Sequence, residues 1–200
     1  MQTMTLYTTT HSNTADRVQW VLNYKGIPHQ CIHVEELSQA AYLAINPYGY
    51  IPTLKVGEIC LSESMAIVEY LDAHTPDPTL LPGNALERAC IREVCEYINS
   101  TVHPVQNRSI MLRFRPDFDA EAIQVWRAEW LTHSLGILAR SLWKKTDDAV
   151  GASFSMADIF VAVMYQRALR QGGSPRTLPA FSRHFQALMQ IPAVSQSAPF

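Results

Sequence analysis

Apolar and polar positions change rhythm part-way along the chain. The first third holds short strand-like stretches interleaved with helical ones, and the remainder repeats at the helical period. Met4–Thr8 reads as a strand and Asn13–Tyr24 as a helix, with Val18, Val21 and Leu22 on one face. Gly26 follows as its C-cap. Residues 28–34 read as a second strand, and 35–45 as a loop with a short helical piece. Residues 51–56 and 58–61 read as a hairpin about Gly57, before an apolar-periodic helix, Ser64–His74.

The order β-α-β-(α)-β-β-α, a crossover unit followed by a hairpin and a covering helix, describes a thioredoxin-like domain over residues 1–75. Residues 76–86 are dense in proline and turn formers and read as a linker. Residues 87–200 then form an all-helical domain, so the class is α/β followed by all-α. Within it, 86–114 is helix-periodic with a bend expected at Pro104. Residues 120–145 carry an apolar stripe of Trp126, Trp130, Leu131, Leu135 and Leu138. Ser155-x-x-Asp158 opens a third helix as a capping box, which gives Asp158 a structural role. A last helix is expected over 180–190.

Composition narrows the functions available. A chain of 200 residues with 48% hydrophobic residues can bury a sizeable core. Net charge is −2 and no Lys/Arg run exists, which argues against nucleic acid or an anionic membrane surface as partner. No apolar run reaches a membrane span, and the N-terminus lacks the regions of a signal peptide. Cys31, Cys60, Cys90 and Cys95 make no CxxC pair, so no metal site or dithiol motif is expected. They read as mostly buried thiols of a cytoplasmic protein.

The densest chemistry lies at Ile51-Pro52 and Glu63-Ser64. A proline among apolar strand residues cannot donate to a ladder and belongs at an edge or bulge. A cis Ile51-Pro52 bond would turn the Ile51 N–H and C=O outward, toward an extended peptide-like ligand. Glu63 and Ser64 set a carboxylate and a hydroxyl beside the free N–H groups of a helix start, suited to an amine and a carboxylate together. A small peptide with a zwitterionic end suggests glutathione.

These residues resemble the cytosolic glutathione transferases, and within them the zeta class, which includes maleylacetoacetate isomerases. The resemblance rests on Asn46-Pro47-x-x-x-Ile51-Pro52-Thr53-Leu54, on Glu63-Ser64 with the helix after it, on Leu80-Leu81-Pro82 and on Ser155-x-x-Asp158. The zeta leaning adds Pro104-Val105-Gln106-Asn107, Leu22-x-x-Lys25-Gly26-Ile27 and Arg170, twelve residues after Asp158. Where zeta enzymes carry Ser-Ser-Cys, this chain has Ser12-Asn13-Thr14. The segment between Val34 and Asn46, which supplies a glutathione contact in the family, is shorter here.

The resemblance implies glutathione as co-substrate, a small electrophile, a homodimer, and no metal, nucleic acid or membrane partner. Ser12, where the first strand meets the first helix, is the candidate donor to a bound thiolate; its other reading is a plain N-cap. Asn13 and Thr14 are the rival donors. Ile51, Pro52, Tyr50, Glu63, Ser64 and Gln106 are candidate glutathione contacts, Glu63 taking the ammonium and Ser64 the carboxylate of the γ-glutamyl end. His11, Asn107 and Arg170 are candidates for the electrophile pocket. His11, Arg17, Asn107 and Gln106 each carry a structural reading as well. The activity is expected to be that of a glutathione transferase. A glutathione-dependent cis-trans isomerase and a non-catalytic binding scaffold are the alternatives. A thiol-disulfide oxidoreductase wants a cysteine near Ser12, and none is there.

Overall fold

Pairing among the strands fixes the first part of the molecule. The computed structural model describes residues 3–174 and 176–200. β1 (Met4–Thr8), β2 (His29–His33), β3 (Thr53–Val56) and β4 (Ile59–Ser62) form one sheet in the order β2-β1-β3-β4. β1 and β2 run parallel; β1–β3 and β3–β4 are antiparallel. The parallel pair needs a crossover, which α1 (Asn13–Tyr24) supplies. α2 (Gln39–Ile45) precedes β3, and α3 (Ser64–His74) follows β4 and packs on α1. Leu6, Val18, Val21, Leu22, Leu54, Ile67, Val68 and Leu71 are wholly or almost wholly buried.

α1 ends as its sequence dictates. Gly26 adopts φ +61° and its N–H donates to Asn23 O, while the Ile27 N–H reaches Leu22 O, the two bonds of a Schellman motif. The Lys25 ammonium is buried beside Asp72 at 2.8 Å and also donates to the carbonyls of Thr75 and Pro78. A buried ammonium with three oxygen partners is satisfied, and it ties the end of α1 to the segment after α3.

By contact the chain divides into two units: residues up to Thr79 together with Ile191–Phe200, and Leu80–Gln190. The thioredoxin-like domain is present as expected, with one addition. The last ten residues group with it rather than with the helices. Trp20, wholly buried on α1, donates its indole N–H toward Val194 O and Ser197 Oγ and meets the Phe200 ring edge-on at 5.3 Å.

The second unit is helical. α4 (Ala85–Glu96) starts at an Asn84–Glu87 capping box. It runs through a π-helical stretch, Tyr97–Val102, into a short α5, His103–Val105. The expected bend at Pro104 is thus a register change before the proline and a stop after it. Pro104 cannot donate an N–H, and the wider turn absorbs the mismatch. Asn107 then caps α6 (Arg108–Phe114). α7 (Ala120–Leu138) ends short of the expected 145. Arg140 and Ser141 close tight turns behind it, and Trp143 sits at φ +54°, outside any helix. Leu131, Leu135 and Leu138 are buried, whereas Trp126 is exposed.

α8 (Met156–Arg170) is the core of this unit, with α4, α7 and α9 (Pro179–Met189) packed on it. Ile159, Phe160 and Val161 are wholly buried. Asp158 accepts from the Ser155 N–H and O–H at 2.8 and 2.9 Å and from the Ala149 N–H at 2.7 Å. Its structural role is therefore wider than a cap, because it also fixes the loop before α8. Burial, opposed by those hydrogen bonds, pushes its carboxyl up to about 7. His184 on α9 lies with Nε2 3.5 Å from Asp158 Oδ1, and burial pushes this imidazole down. A short α10 (Pro192–Ser195) begins the segment that returns to the first unit.

The cysteines depart from expectation. All four are free, but only Cys95 is buried; Cys31 is exposed, because β2 is an edge strand, and Cys60 and Cys90 are half-buried. No helix among the described residues is long and apolar enough to cross a membrane.

Candidate functional site

The first group of site residues gathers where α1 begins. Ser12 is the N-cap: its Oγ accepts from the Ala15 N–H at 3.3 Å, and its half-buried hydroxyl lies 3.1 Å from Thr14 Oγ1. The N-cap reading of Ser12 therefore holds, and it leaves the hydroxyl proton available to a second partner. Thr14 donates its own hydroxyl to the carbonyl of Ile51 at 3.0 Å. His11, at φ +63°, is exposed beside Ser12, and Asn13 is buried.

The loop before β3 is held from beneath. Ile51-Pro52 is cis. Pro52 stands just before the first paired residue of β3, an inner strand, so it opens the strand rather than marking a sheet edge. Tyr42 on α2 donates to Tyr50 O at 2.7 Å and contacts Thr53 Oγ1 at 2.9 Å. The buried Asn46 amide donates to the same two oxygens at 2.7 and 3.0 Å. The Tyr50 side chain is largely exposed, so it is its carbonyl that the loop uses. The Ile51 carbonyl does not simply face outward, as expected, because Thr14 already occupies one of its lone pairs. Among the described residues the Ile51 N–H has no acceptor.

Glu63 and Ser64 lie at the head of α3. Glu63 is exposed, takes φ +71°, and makes no side-chain cap. Its carboxylate is thus not spent on the helix, and the backbone is held in a conformation that L residues avoid. Ser64 is buried, with Oγ accepting from Arg17 Nη1 at 3.3 Å. Arg17 is 0% exposed, so it is neither a solvated charge nor a surface ion pair; it sits under Ser64 and joins α1 to α3.

In the helical unit, Gln106 is the hub of a polar cluster. It is 2% exposed. Its amide nitrogen pairs with His103 Nδ1 at 3.0 Å, its amide oxygen accepts from Arg167 Nε at 3.1 Å, and its carbonyl accepts from Arg127 Nε at 2.9 Å. Gln106 thus holds Arg167 through its side-chain amide and Arg127 through its backbone carbonyl, all within this unit. Asn107 is half-buried and accepts from Ser109 as the α6 cap. Arg170 is half-buried one turn beyond Arg167. Burial and the nearby positive charge of Arg108 lower the affinity of Arg127 for its proton. A gathering of cations on a buried amide suits an anionic ligand. The sequence singled out Arg170 but passed over Arg167 and Arg127, which lie among the ordinary positions of their helices. Tyr42 was also missed as a site-building residue, and Thr14, singled out as a rival donor, was not expected to bond Ile51. Among the described residues no three His, Cys, Asp or Glu side chains gather as a metal site would require.

Comparison with known proteins gives these features a family. Residues 6–79 match the family model for the glutathione S-transferase N-terminal domain. The maleylacetoacetate isomerase of Pseudomonas aeruginosa is 31% identical, over 98% of this chain and 96% of its own. A bacterial zeta-class glutathione transferase, maleyl pyruvate isomerase, superposes with a TM-score of 0.87 at 27% identity, covering 98% of this chain and 96% of its own. The maleylacetoacetate isomerase of Anaeromyxobacter dehalogenans, solved with dicarboxyethyl glutathione and citrate in its active site, gives 0.81 at 26% identity over 100% and 96%. By this likeness along its whole length, the chain belongs to the glutathione S-transferase family, in the zeta class of the maleylacetoacetate isomerases.

Proposed function

We propose that this protein activates the thiol of glutathione and adds it to an acidic, conjugated alkene of the maleyl type, isomerising it from cis to trans. The glutathione half is supported by Ser12, the cis-proline loop and Glu63-Ser64, which lie within one unit. The Ile51 N–H and C=O take the cysteinyl backbone. Glu63 takes the γ-glutamyl ammonium, and Ser64 donates to its carboxylate. Ser12 donates to sulfur. Lowering a thiol from about 8.5 to below 7 requires roughly 2–3 kcal/mol. A hydrogen bond to the charged sulfur supplies about 1.5–3 kcal/mol, and the start of α1 up to about 2.

The observation that carries the acidic substrate is the arginine pair on Gln106, Arg127 and Arg167, with Arg108 and Arg170 nearby. The chemistry is reversible. The thiol proton leaves to solvent, and the thiolate forms a C–S bond at the alkene carbon β to a carbonyl. The π pair moves onto the carbonyl oxygen, which leaves a single bond free to rotate. Collapse of the enolate re-forms the alkene as trans, breaks the C–S bond and returns glutathione. The arginines hold the carboxylates while the bond turns. A cytosolic homodimer accompanies this reading, supported by four free thiols and by the family.

The test is turnover of a cis-alkene dicarboxylic β-keto acid with catalytic glutathione, followed by loss of the cis absorbance. Ser12→Ala is expected to raise the pKa of bound glutathione by about one to two units, the size of one charged hydrogen bond. Accumulation of a stable conjugate instead of the trans acid would make the protein a plain transferase. Retention on immobilised glutathione without either product would make it a binding scaffold.

A further inference from the structure

The Ser12–Thr14–Ile51 contacts have a direction. Thr14 has one hydroxyl proton and gives it to the Ile51 carbonyl. In the 3.1 Å contact between the two hydroxyls, Thr14 is therefore the acceptor and Ser12 the donor. Ser12 in turn accepts from the Ala15 N–H. The chain runs Ala15 N–H to Ser12 O–H to Thr14 O–H to Ile51 C=O, with each hydroxyl both accepting and donating. In this arrangement the Ser12 proton is given to Thr14 and not to a ligand.

We propose that Thr14 is a positioning residue, and that its hydroxyl reverses direction when glutathione binds, coupling occupation of the Ile51 carbonyl to activation of the thiolate by Ser12. The inference rests on the reading of Ser12 as the sulfur's donor. The cysteinyl N–H of the ligand supplies the Ile51 carbonyl with a new donor. Two donors on one carbonyl weaken each other, so its hold on the Thr14 proton slackens and that proton turns to Ser12 Oγ. Ser12 then accepts from both the Ala15 N–H and the Thr14 O–H and donates to sulfur. A hydroxyl that accepts two hydrogen bonds is a stronger donor, because each polarises its O–H further. No bond is made or broken in this step; two hydroxyl rotors turn.

Thr14→Val keeps the shape and removes the relay, and Thr14→Ser keeps the hydroxyl. The experiment measures the thiolate absorbance of enzyme-bound glutathione against pH, the pH profile of kcat/KM, and glutathione affinity. Thr14→Val is expected to raise the bound-thiol pKa by about 0.5–1 unit, the size of one neutral hydrogen bond. Glutathione affinity should hold or improve, because the Ile51 carbonyl is left to the ligand alone. Thr14→Ser should restore the wild-type pKa. A merely structural role would weaken binding and leave the pKa of whatever binds unmoved. A Thr14→Val protein with a wild-type thiol pKa, or a Thr14→Ser protein that fails to restore it, overturns the relay alone. A wild-type protein that binds no glutathione as thiolate overturns the glutathione reading and the relay with it.

Discussion

Glu63 holds an unfavourable backbone at the head of α3, with φ +71°, and its exposed carboxylate makes no cap there. A glycine would adopt that conformation at no steric cost. Glu63→Gly should therefore raise stability by about 1 kcal/mol, within the range for a relieved left-handed residue. It should also weaken glutathione roughly tenfold, since a charged partner for the ligand's ammonium is worth about 1.5 kcal/mol or more. Calorimetric titration and thermal unfolding read the two effects separately. A lower melting temperature with unchanged affinity would return Glu63 to the structure and remove it from the site. The places of Pro52, at the opening of β3, and of Glu63 and Ser64, at the head of α3, were legible in the sequence because a strand proline and a helix start are local patterns. The Thr14 bond to Ile51 and the Arg17 bond to Ser64 were not. Their partners lie 37 and 47 residues away, and nothing local in a threonine or an arginine announces them.

At the scale of elements, the start of α8 joins a capping carboxylate to an imidazole on α9. Asp158 is raised to about 7, so between about 4 and 7 the folded protein holds a proton that the unfolded chain has released. That contribution is fully present below the unfolded pKa and is lost as pH rises through about 7. His184 has the opposite sign: its lowered pKa means the unfolded chain binds the extra proton, so stability rises with pH toward about 6.5. The two slopes oppose each other as pH rises toward about 6.5. Asp158→Asn removes only the falling one. Its melting temperature should therefore climb with pH over that window more steeply than that of the wild type, which stays flatter. Parallel profiles would show that Asp158 is ionised in the fold throughout. The Ser155-x-x-Asp158 box was legible because four adjacent residues write it. The early end of α7 and the π-helical stretch before Pro104 were not. The first is set by a turn of ordinary residues, and in the second the mismatch at Pro104 is absorbed by a wider turn, a form that the proline alone does not specify.

At the scale of the molecule, the return of residues 191–200 to the first unit decides what that unit needs in order to fold. By contact the division falls after residue 79, within the segment of prolines and turn formers where the rhythm of the chain changes. The return was invisible, since so short a tail shows no period and its partner, Trp20, looks like any other core residue of α1. Yet Val194 is buried, Ser197 accepts from Trp20 while its carbonyl takes the Asn23 amide at 3.0 Å, and Phe200 closes over the indole. Uncovering one apolar side chain costs about 1.5–3 kcal/mol, and each lost buried hydrogen bond about 1. A chain ending at Gln190 should thus lose on the order of 3–5 kcal/mol from the first unit, a large share of a stability of about 5–15. Hydrogen exchange gives the direct reading. The amides of α1 should lose protection, Trp20 emission should shift to the red, and glutathione affinity should fall because Ser12 and Thr14 stand on that helix. The amides of α8 should keep their protection. If α8 loosened and α1 did not, the tail would belong energetically to the helices, and α1 would owe its place to the sheet and α3 alone.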